Sequence, residues 1–547
     1  MSFSNLKTNY PTFIVFFLIL IVGVFFYKDF GFNIDEKFHR QNGFYWLHYI
    51  AKFFNLETLE KVSRTELAGI KGFTLDSVEY YNKYGIIFDV PAAALELVLK
   101  LNDPLKYYYL RHLLVFLYFF VGLIYLYKIL KNRFKISNLA LFGVLLMFVT
   151  PRIFGDSFQN TKDIIFLSFL IISTYFAFKI KDKFSPLNIL LFSFFSASAI
   201  SLRLFGFILI ISLILIELVT INRDNFKSKF LKISILIITQ FIFLILVWPL
   251  LWENTIQNFL NYFPQIDEHF NAKVLFMGKY YDSGLLPYSY LPFWILISTP
   301  ILHLILFFFG FFFCFKRFFK RYLSIKEGNL FEDYWRGKNE KKDFFILINF
   351  LGILFCFLFL NMKFYNSWRL GYFLYFFLVY FAVYGLNLIF YKKNFFSFNR
   401  QYAKSLIFIF FAFTVYRMIL YHPYQSLYFN FLVPNQIKNN VEVDYTGLSS
   451  FHFLNKIVGE RKNINEIKIG VASWYPLWRV LELIDHKNSV KVVAIKDNHT
   501  ADFLYSNRIS DVDKNYNKKY DIPTNFMIKE QFKIDGVIIY EVFQRKR

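Results

Sequence analysis

Cysteine is almost absent: the 547 residues hold two, Cys314 and Cys356, both inside apolar segments. That excludes a disulfide framework and a cysteine-rich metal centre. A P-loop, a dinucleotide fingerprint, HExxH and GxSxG are also missing, so the chain carries no recognisable nucleotide, zinc-protease or esterase signature. No internal repeat is evident. No small-residue cleavage site follows the first apolar run, Tyr10 to Tyr27, which reads as a retained anchor rather than a signal peptide. Acidic residues are in deficit, 39 against 62 Lys and Arg, for a net charge of +23. In a soluble chain that surplus would invite nucleic acid. Here much of it lies in short loops between apolar segments, and no nucleic-acid partner is expected.

Apolar surface is what the chain has in abundance, with 56% hydrophobic and 23% aromatic residues. Runs recur from Thr12 almost to His422, several near the roughly 20 residues a helix needs to cross a bilayer. Lys/Arg-rich loops beginning at Lys131, Lys179, Asn222, Lys316 and Lys392 recur at alternate connections. Placed on the cytoplasmic side, they require an even number of crossings between them. The expected crossings are 11–27, 110–130, 137–150, 164–180, 187–201, 204–221, 233–250, 291–315, 344–360, 370–390 and 405–421, eleven in all, with the N-terminus inside and the C-terminus outside. Segments 137–150 and 187–201 are short for spanning helices, with a kinked or re-entrant helix as the alternative to a full span, and the connections Thr150–Asp163 and Ser201–Arg203 then face outward or lie mid-membrane. Lys28–Tyr109, Leu251–Tyr290 and everything after Tyr421 lie outside.

Within the first outer segment, YGIIFDVPAAALELVLKL contains Asp89, Pro91 and Glu96, which are costly in hydrocarbon, and it reads as an amphipathic surface helix. After Asn463 the period changes. IKIGVAS, VKVVAI, ADFLYS and GVIIYEVF are strand-like and YPLWRVLELIDH is helical. The expected fold class is an α-helical polytopic membrane protein with a small C-terminal extracytoplasmic α/β domain. Its parts are a membrane domain over 1–421, an outer linker over 422–462 and the α/β domain over 463–547.

Polar clusters recur at the outward connections. Asp35 and Glu36, with His39, follow the first crossing in FNIDEKFHRQNGFYW. An acidic pair there ordinarily marks a helix end, but both charge signs, amides and aromatics in one stretch suit a binding surface better. TPRIFGDSFQNTKD places Arg152, Asp156, Lys162 and Asp163 on one connection, more charge than turn chemistry asks. Arg203 in SLRLFG is a lone cation that snorkelling alone would explain. Arg111 opens the second crossing, Glu253, Asp267, Glu268 and His269 lie in a later outer segment, Arg369 ends the ninth crossing, and His422, Tyr424 and Gln425 follow the last. Together they point to a cavity between the bundle and an outer layer. A carboxylate there can take a proton from a hydroxyl while Arg and Lys hold a lipid-linked phosphate leaving group. Glycosyl transfer from a polyprenyl-phosphate sugar fits that chemistry. The competing readings are a transporter or lipid flippase, with polar residues in both leaflets and repeat-related broken helices, and an envelope scaffold that binds a partner through its outer domain.

These residues resemble the GT-C class of membrane glycosyltransferases, specifically the branch of protein O-mannosyltransferases and aminoarabinose transferases. Asp35 and Glu36 match in place and type the acidic motif after that family's first helix. YGIIFDVPAAALELVLKLNDPLKYYYLRHLL looks like the rest of its first outer loop, and TPRIFGDSFQNTKD looks like the second. SLRLFG, KYYDSGLLPYSYLPFW, the YxxWR element at Tyr365–Arg369 and HPYQSLYFN are similar to a bacterial subgroup, and the similarity covers about residues 1–450. The resemblance implies a multi-helix bundle, a polyprenyl-phosphate-sugar donor and a hydroxyl acceptor on protein, lipid or glycan. It implies Asp35 as first choice of general base, with Glu36 a positioning residue or the alternative base. Arg111, Arg152, Lys162 and Arg203 become donor-phosphate contacts. His39, Asp156, Asp163, Arg369, His422, Tyr424 and Gln425 are expected to bind substrate or support the site. No cofactor is implied, and no residue set supports a divalent metal. Transfer is expected by inversion, on the outer face of the inner membrane.

Overall fold

Helix boundaries follow local chemistry. The computed structural model describes residues 10–68, 85–267, 272–323, 335, 337–359, 363–392, 400–460, 466–475, 477–484, 491–508 and 520–546; Glu268 and His269 lie outside them. The apolar α1 (Tyr10–Phe26) leads into three polar-segment helices, α2 (Glu36–Phe53), α3 (Glu57–Ala68) and α4 (Asp89–Val98). Then come α5 (Pro104–Phe134), α6 (Ser137–Phe148), α7 (Pro151–Gln159), α8 (Asp163–Asp182), α9 (Pro186–Leu202), α10 (Phe207–Val219) and α11 (Phe226–Val247). Proline at the first turn starts α5, α7 and α9. The side chains of Asp103 and Ser185 cap α5 and α9 by accepting from Leu105 N and Asn188 N. Helix α12 (Thr255–Asp267) and the hairpin β1 (Lys273–Phe276) to β2 (Lys279–Asp282) precede α13 (Tyr290–Ser298), α14 (Ile301–Leu323), α15 (Gly337–Phe359), α16 (Leu374–Tyr391) and α17 (Arg400–Leu420).

Seven of the described helices, α5, α8, α11, α14, α15, α16 and α17, are long and apolar enough to cross a membrane. The shorter apolar helices Tyr10–Phe26, Pro186–Leu202 and Leu204–Val219 fall on three more expected crossings. Two expected segments are broken. Residues 291–315 split into α13 and α14 around Pro300, which has no amide to continue a helix. At 137–150 the helix α6 spans only 12 residues, and the chain bends by 67° into α7. Thr150 is extended there and Pro151 restarts the helix, so the expected polar turn is a buried helix.

Glycine brings two of the spans together: a Cβ on Gly310 of α14 would lie 1.8 Å from the Phe381 carbonyl oxygen of α16. Ion pairs close one end of the bundle. Arg133 donates to both carboxylate oxygens of Asp343 at 2.6 Å, and Asp343 also accepts from Arg317 at 2.8 Å and Tyr380 at 2.7 Å. The Lys/Arg-rich stretches beginning at Lys131 and Lys179 meet at this end, where Lys342 donates to Asn132 at 2.6 Å and pairs with Asp182 at 2.9 Å.

The opposite end carries a mixed sheet. After α18 (Ser449–Glu460) come β3 (Glu466–Val471), α19 (Trp478–Ile484), β4 (Lys491–Ala494), β5 (Phe503–Ser506), β6 (Phe526–Ile534) and β7 (Val537–Arg545), in the order β4-β3-β5-β7-β6. Strand β3 pairs in parallel with β4 and β5, and β7 antiparallel with β5 and β6. The strand at 526–534 is interrupted by Lys529, Glu530, Gln531 and Lys533 and so forms no apolar run. Asp535 and Gly536, both at positive φ, make the tight β6–β7 turn. One continuous core runs from Ile19 through the bundle to Val542 of the sheet.

Candidate active site at the sheet-domain end

The segment between α1 and α2 is clamped from both sides. Phe30 stacks on Phe158 at 4.4 Å, and Phe32 packs edge-on against Phe451 at 4.8 Å. Ile34 N donates to Thr446 O at 3.0 Å, and a Cβ on Gly31 would lie 2.0 Å from Leu448 O. Asn33 then sets the start of α2: its side-chain oxygen accepts from Asp35 N at 2.9 Å, and its amide NH2 donates to Gln159 at 2.5 Å. Glu36 reaches back to accept from Asn33 N at 2.7 Å. Arg479 of α19 donates to Ile34 O at 2.7 Å, so the sheet domain itself touches this turn.

With its backbone fixed, Asp35 presents its carboxylate to Arg369, whose Nη1 lies 2.7 Å away; the Asp35 side chain is still 38% exposed. Arg369 leaves a turn in which Asn366 and Ser367 have φ of 58° and 56°. Asparagine tolerates that left-handed region and serine rarely occupies it. The buried Glu442 holds the turn by accepting from Ser367 N at 3.0 Å. Asp163, at the N-terminus of α8, accepts from Arg203 Nε at 2.7 Å and again from Nη2. Asn160 ties Asp163 to Asp156, donating to them at 3.1 and 2.9 Å, and Gln159 donates to Asp156 at 3.1 Å. Lys162 stands beside Asp163, and the Tyr365 ring centre lies 5.7 Å from the Arg369 guanidinium carbon. Two carboxylates and three basic side chains from four separate chain segments therefore share one field.

That field is uneven. Burial pushes the Asp35 carboxyl up, but the charges of Arg369, His39 and Arg479 and the bond from Arg369 outweigh it and hold Asp35 below its ordinary value. Lys162 is driven well below the usual lysine value, first by burial and then by Arg203 and Arg369, with Asp163 and Asp35 opposing. Burial pushes Glu442 up to about 7 against the Ser367 amide and the Arg369 charge. The geometry supplies an ionised, reachable carboxylate next to cations that an added anion would stabilise.

Of the expected site residues, Asp35, Lys162, Asp163, Arg203 and Arg369 converge here, with Asp156 bonded to the Asn160 bridge. Of the expected phosphate contacts, Arg111 is placed elsewhere, while Arg152 reaches the Arg369 turn and donates to Ser367 Oγ at 3.3 Å. Arg111 is fully buried and donates to Glu96 at 2.5 Å, and Glu96 also takes Arg40 at 2.8 Å. Arg152 donates to Tyr428 O at 3.0 Å and packs on Trp294 and Phe429. Glu36 is 2% exposed and its second oxygen faces His112 Nε2 at 2.9 Å. His39 faces Asp89 at 3.1 Å. His422 faces Asp29 at 3.1 Å, Tyr424 bonds His452 at 2.8 Å and Gln425 donates to Met418 O at 3.1 Å, so these three brace the ends of α1 and α17 against α18. Glu442 and Arg479 had no signal in the sequence. The first sits in an ordinary polar stretch and the second in what reads as a plain amphipathic helix.

Residues 90–252 match the family model described as dolichyl-phosphate-mannose-protein mannosyltransferase, a segment that includes Asp156, Lys162, Asp163 and Arg203. The chain is also similar to two crystal structures of ArnT from Cupriavidus metallidurans. The one bound to undecaprenyl phosphate is 10% identical, with 97% of this chain and 98% of that chain covered and a TM-score of 0.44. The apo form is 11% identical, with 97% of each chain covered and a TM-score of 0.46. No curated protein matches the chain. The helices long and apolar enough to span mark a multi-pass membrane protein, and over residues 90–252 the chain is similar to that mannosyltransferase family.

Proposed function

We propose that the protein transfers a sugar from a polyprenyl-phosphate donor to an acceptor hydroxyl at the sheet-domain end of the bundle. The observation that carries this reading is the reachable Asp35 carboxylate bonded to Arg369 beside Lys162 and Arg203. Asp35 takes the acceptor hydroxyl's proton, the freed oxygen forms a bond to the anomeric carbon, and the bond from that carbon to the phosphate oxygen breaks. The lipid phosphate leaves with the electron pair against Lys162, Arg203 and Arg369. A single displacement inverts the anomeric carbon. Asp163 orients Arg203, and Glu36 holds the start of α2 rather than reacting. The family description, which names a lipid-phosphate sugar, supports this class of donor. Lys/Arg-rich loops at the other end support a site on the extracytoplasmic face of the inner membrane. The test is the anomeric configuration of the product by NMR, starting from a polyprenyl-phosphate sugar of known configuration. Inversion is expected, and retention would require a glycosyl-enzyme intermediate and sink the single-displacement scheme.

A further inference from the structure

At the basic end of the bundle, the last turns of α8 and α10 meet the first turns of α11 and α15. Glu217 of α10 is surrounded there by ammonium groups. Lys181 Nζ lies 3.4 Å from Oε1, Lys341 Nζ lies 4.0 Å from the same oxygen, and Lys229 Nζ bonds Oε2. Lys229 also donates to Thr220 Oγ1 at 3.1 Å. Lys232 adds a fourth positive charge that acts on Lys341. Among the described residues, every ion pair these lysines make is with Glu217; the neighbouring Asp182 is taken by Lys342 at 2.9 Å. Two helix C-termini and two N-termini meet at this point, so their macrodipoles largely cancel and do not neutralise the excess.

Water does little to relieve the crowding, because the side chains of Lys181, Lys229 and Lys341 are only 3%, 16% and 20% exposed. Like charges gathered around one carboxylate at low exposure repel, and an added anion would offset that cost. The surroundings say what kind of anion. On the same turns Leu218, Val219, Phe226, Phe230 and Leu231 are exposed and apolar. A soluble phosphate has no use for them, whereas acyl chains do.

We propose that this cluster is a binding site for the phosphate of an anionic membrane lipid, its headgroup held by Lys181, Lys229 and Lys341 and its chains lying along the exposed faces of α10 and α11. The site stands apart from the candidate active site and does not depend on the transfer reaction. The experiment is native mass spectrometry and thermal unfolding of the delipidated full-length protein titrated with phosphatidylglycerol, phosphatidylcholine or inorganic phosphate. Phosphatidylglycerol is expected to be retained and to raise the unfolding temperature, while the other two do neither. Lys229→Gln and Lys341→Gln should each weaken retention about fivefold, and the pair roughly twentyfold. Lys229→Arg and the exposed Lys316→Gln at the same end should leave it unchanged. Equal retention of phosphatidylcholine, stabilisation by inorganic phosphate as strong as by the lipid, or wild-type retention in the double variant would each overturn the proposal. The wild-type comparison of the three ligands needs no variant to fold.

Discussion

Asp35 meets two requirements that usually conflict, because it stays ionised inside a packed site and it remains reachable. Asp35→Asn should therefore lower kcat by about a thousandfold, far more than the loss of its ion pair with Arg369 lowers stability. Glu36→Gln should do the reverse. The amide keeps one oxygen to accept from Asn33 N but replaces the buried carboxylate oxygen facing His112 with an NH2, at a cost of about 1–3 kcal/mol in stability, so thermal unfolding responds before turnover does. The pH profile adds a second test. Since the folded Asp35 carboxyl lies below its ordinary 3.8, the acid limb of kcat/KM should fall below that value, and Arg369→Gln should move the limb upward. A limb that stays in place would mean that Asp35 is not the titrating group. Asp35, Lys162, Asp163, Arg203 and Arg369 stand out in the sequence because charge next to a hydrophobic run is conspicuous. What the sequence does not disclose is partner choice. Arg111 and Arg152 look equivalent to Arg203 until packing delivers the first to Glu96 and the second to the Tyr428 carbonyl.

At the scale of the helix, hydropathy located the apolar segments well, because each must cover its own backbone polar groups and face lipid or neighbouring helices. The shortness of the run at 137–150 pointed to a kinked or re-entrant helix, which the 67° bend into α7 matches, but the break at Pro300 left no mark, since a broken segment stays as apolar as an unbroken one. The strand at 526–534 was missed for the opposite reason. The basic end shows how the elements are held in register: Asp343 of α15 accepts from Arg133 of α5, Arg317 of α14 and Tyr380 of α16. Asp343→Asn leaves two guanidinium groups short of their shared counter-charge and should cost about 3–5 kcal/mol, read as a large drop in the unfolding temperature in detergent. A drop within the range of ordinary surface substitutions would show that the network is not what joins these helices.

For the whole molecule, charged side chains among the described residues join the sheet domain to the bundle at two places. The turn residue Asp535 takes Lys438 at 2.8 Å and also Arg417, and α19 reaches the turn before α2 through Arg479 and α2 itself through Glu482, which pairs with Lys37 at 2.8 Å. Burial opposes the Asp535 charge, but its bonds to Arg417 and Lys438 bring the carboxyl down to about 2, below its ordinary 3.8. A carboxyl depressed by folding stabilises above its unfolded pKa and loses that contribution as pH falls through the folded one. The contribution should be intact above pH 4 and fade toward pH 2, worth on the order of 1 kcal/mol once discounted for exposure. Asp535→Asn should abolish that acid dependence in thermal unfolding, and an unchanged acid dependence would assign it to other carboxylates. The most direct measurement of the central claim is release of polyprenyl phosphate by the purified protein in nanodiscs, offered a panel of polyprenyl-phosphate sugars with an acceptor. Transfer by Asp35 predicts release by the wild type and its loss in an Asp35→Asn protein that still unfolds cooperatively. Release by Asp35→Asn at the wild-type rate, or wild-type passage of intact donor across the bilayer with no phosphate released, would contradict it.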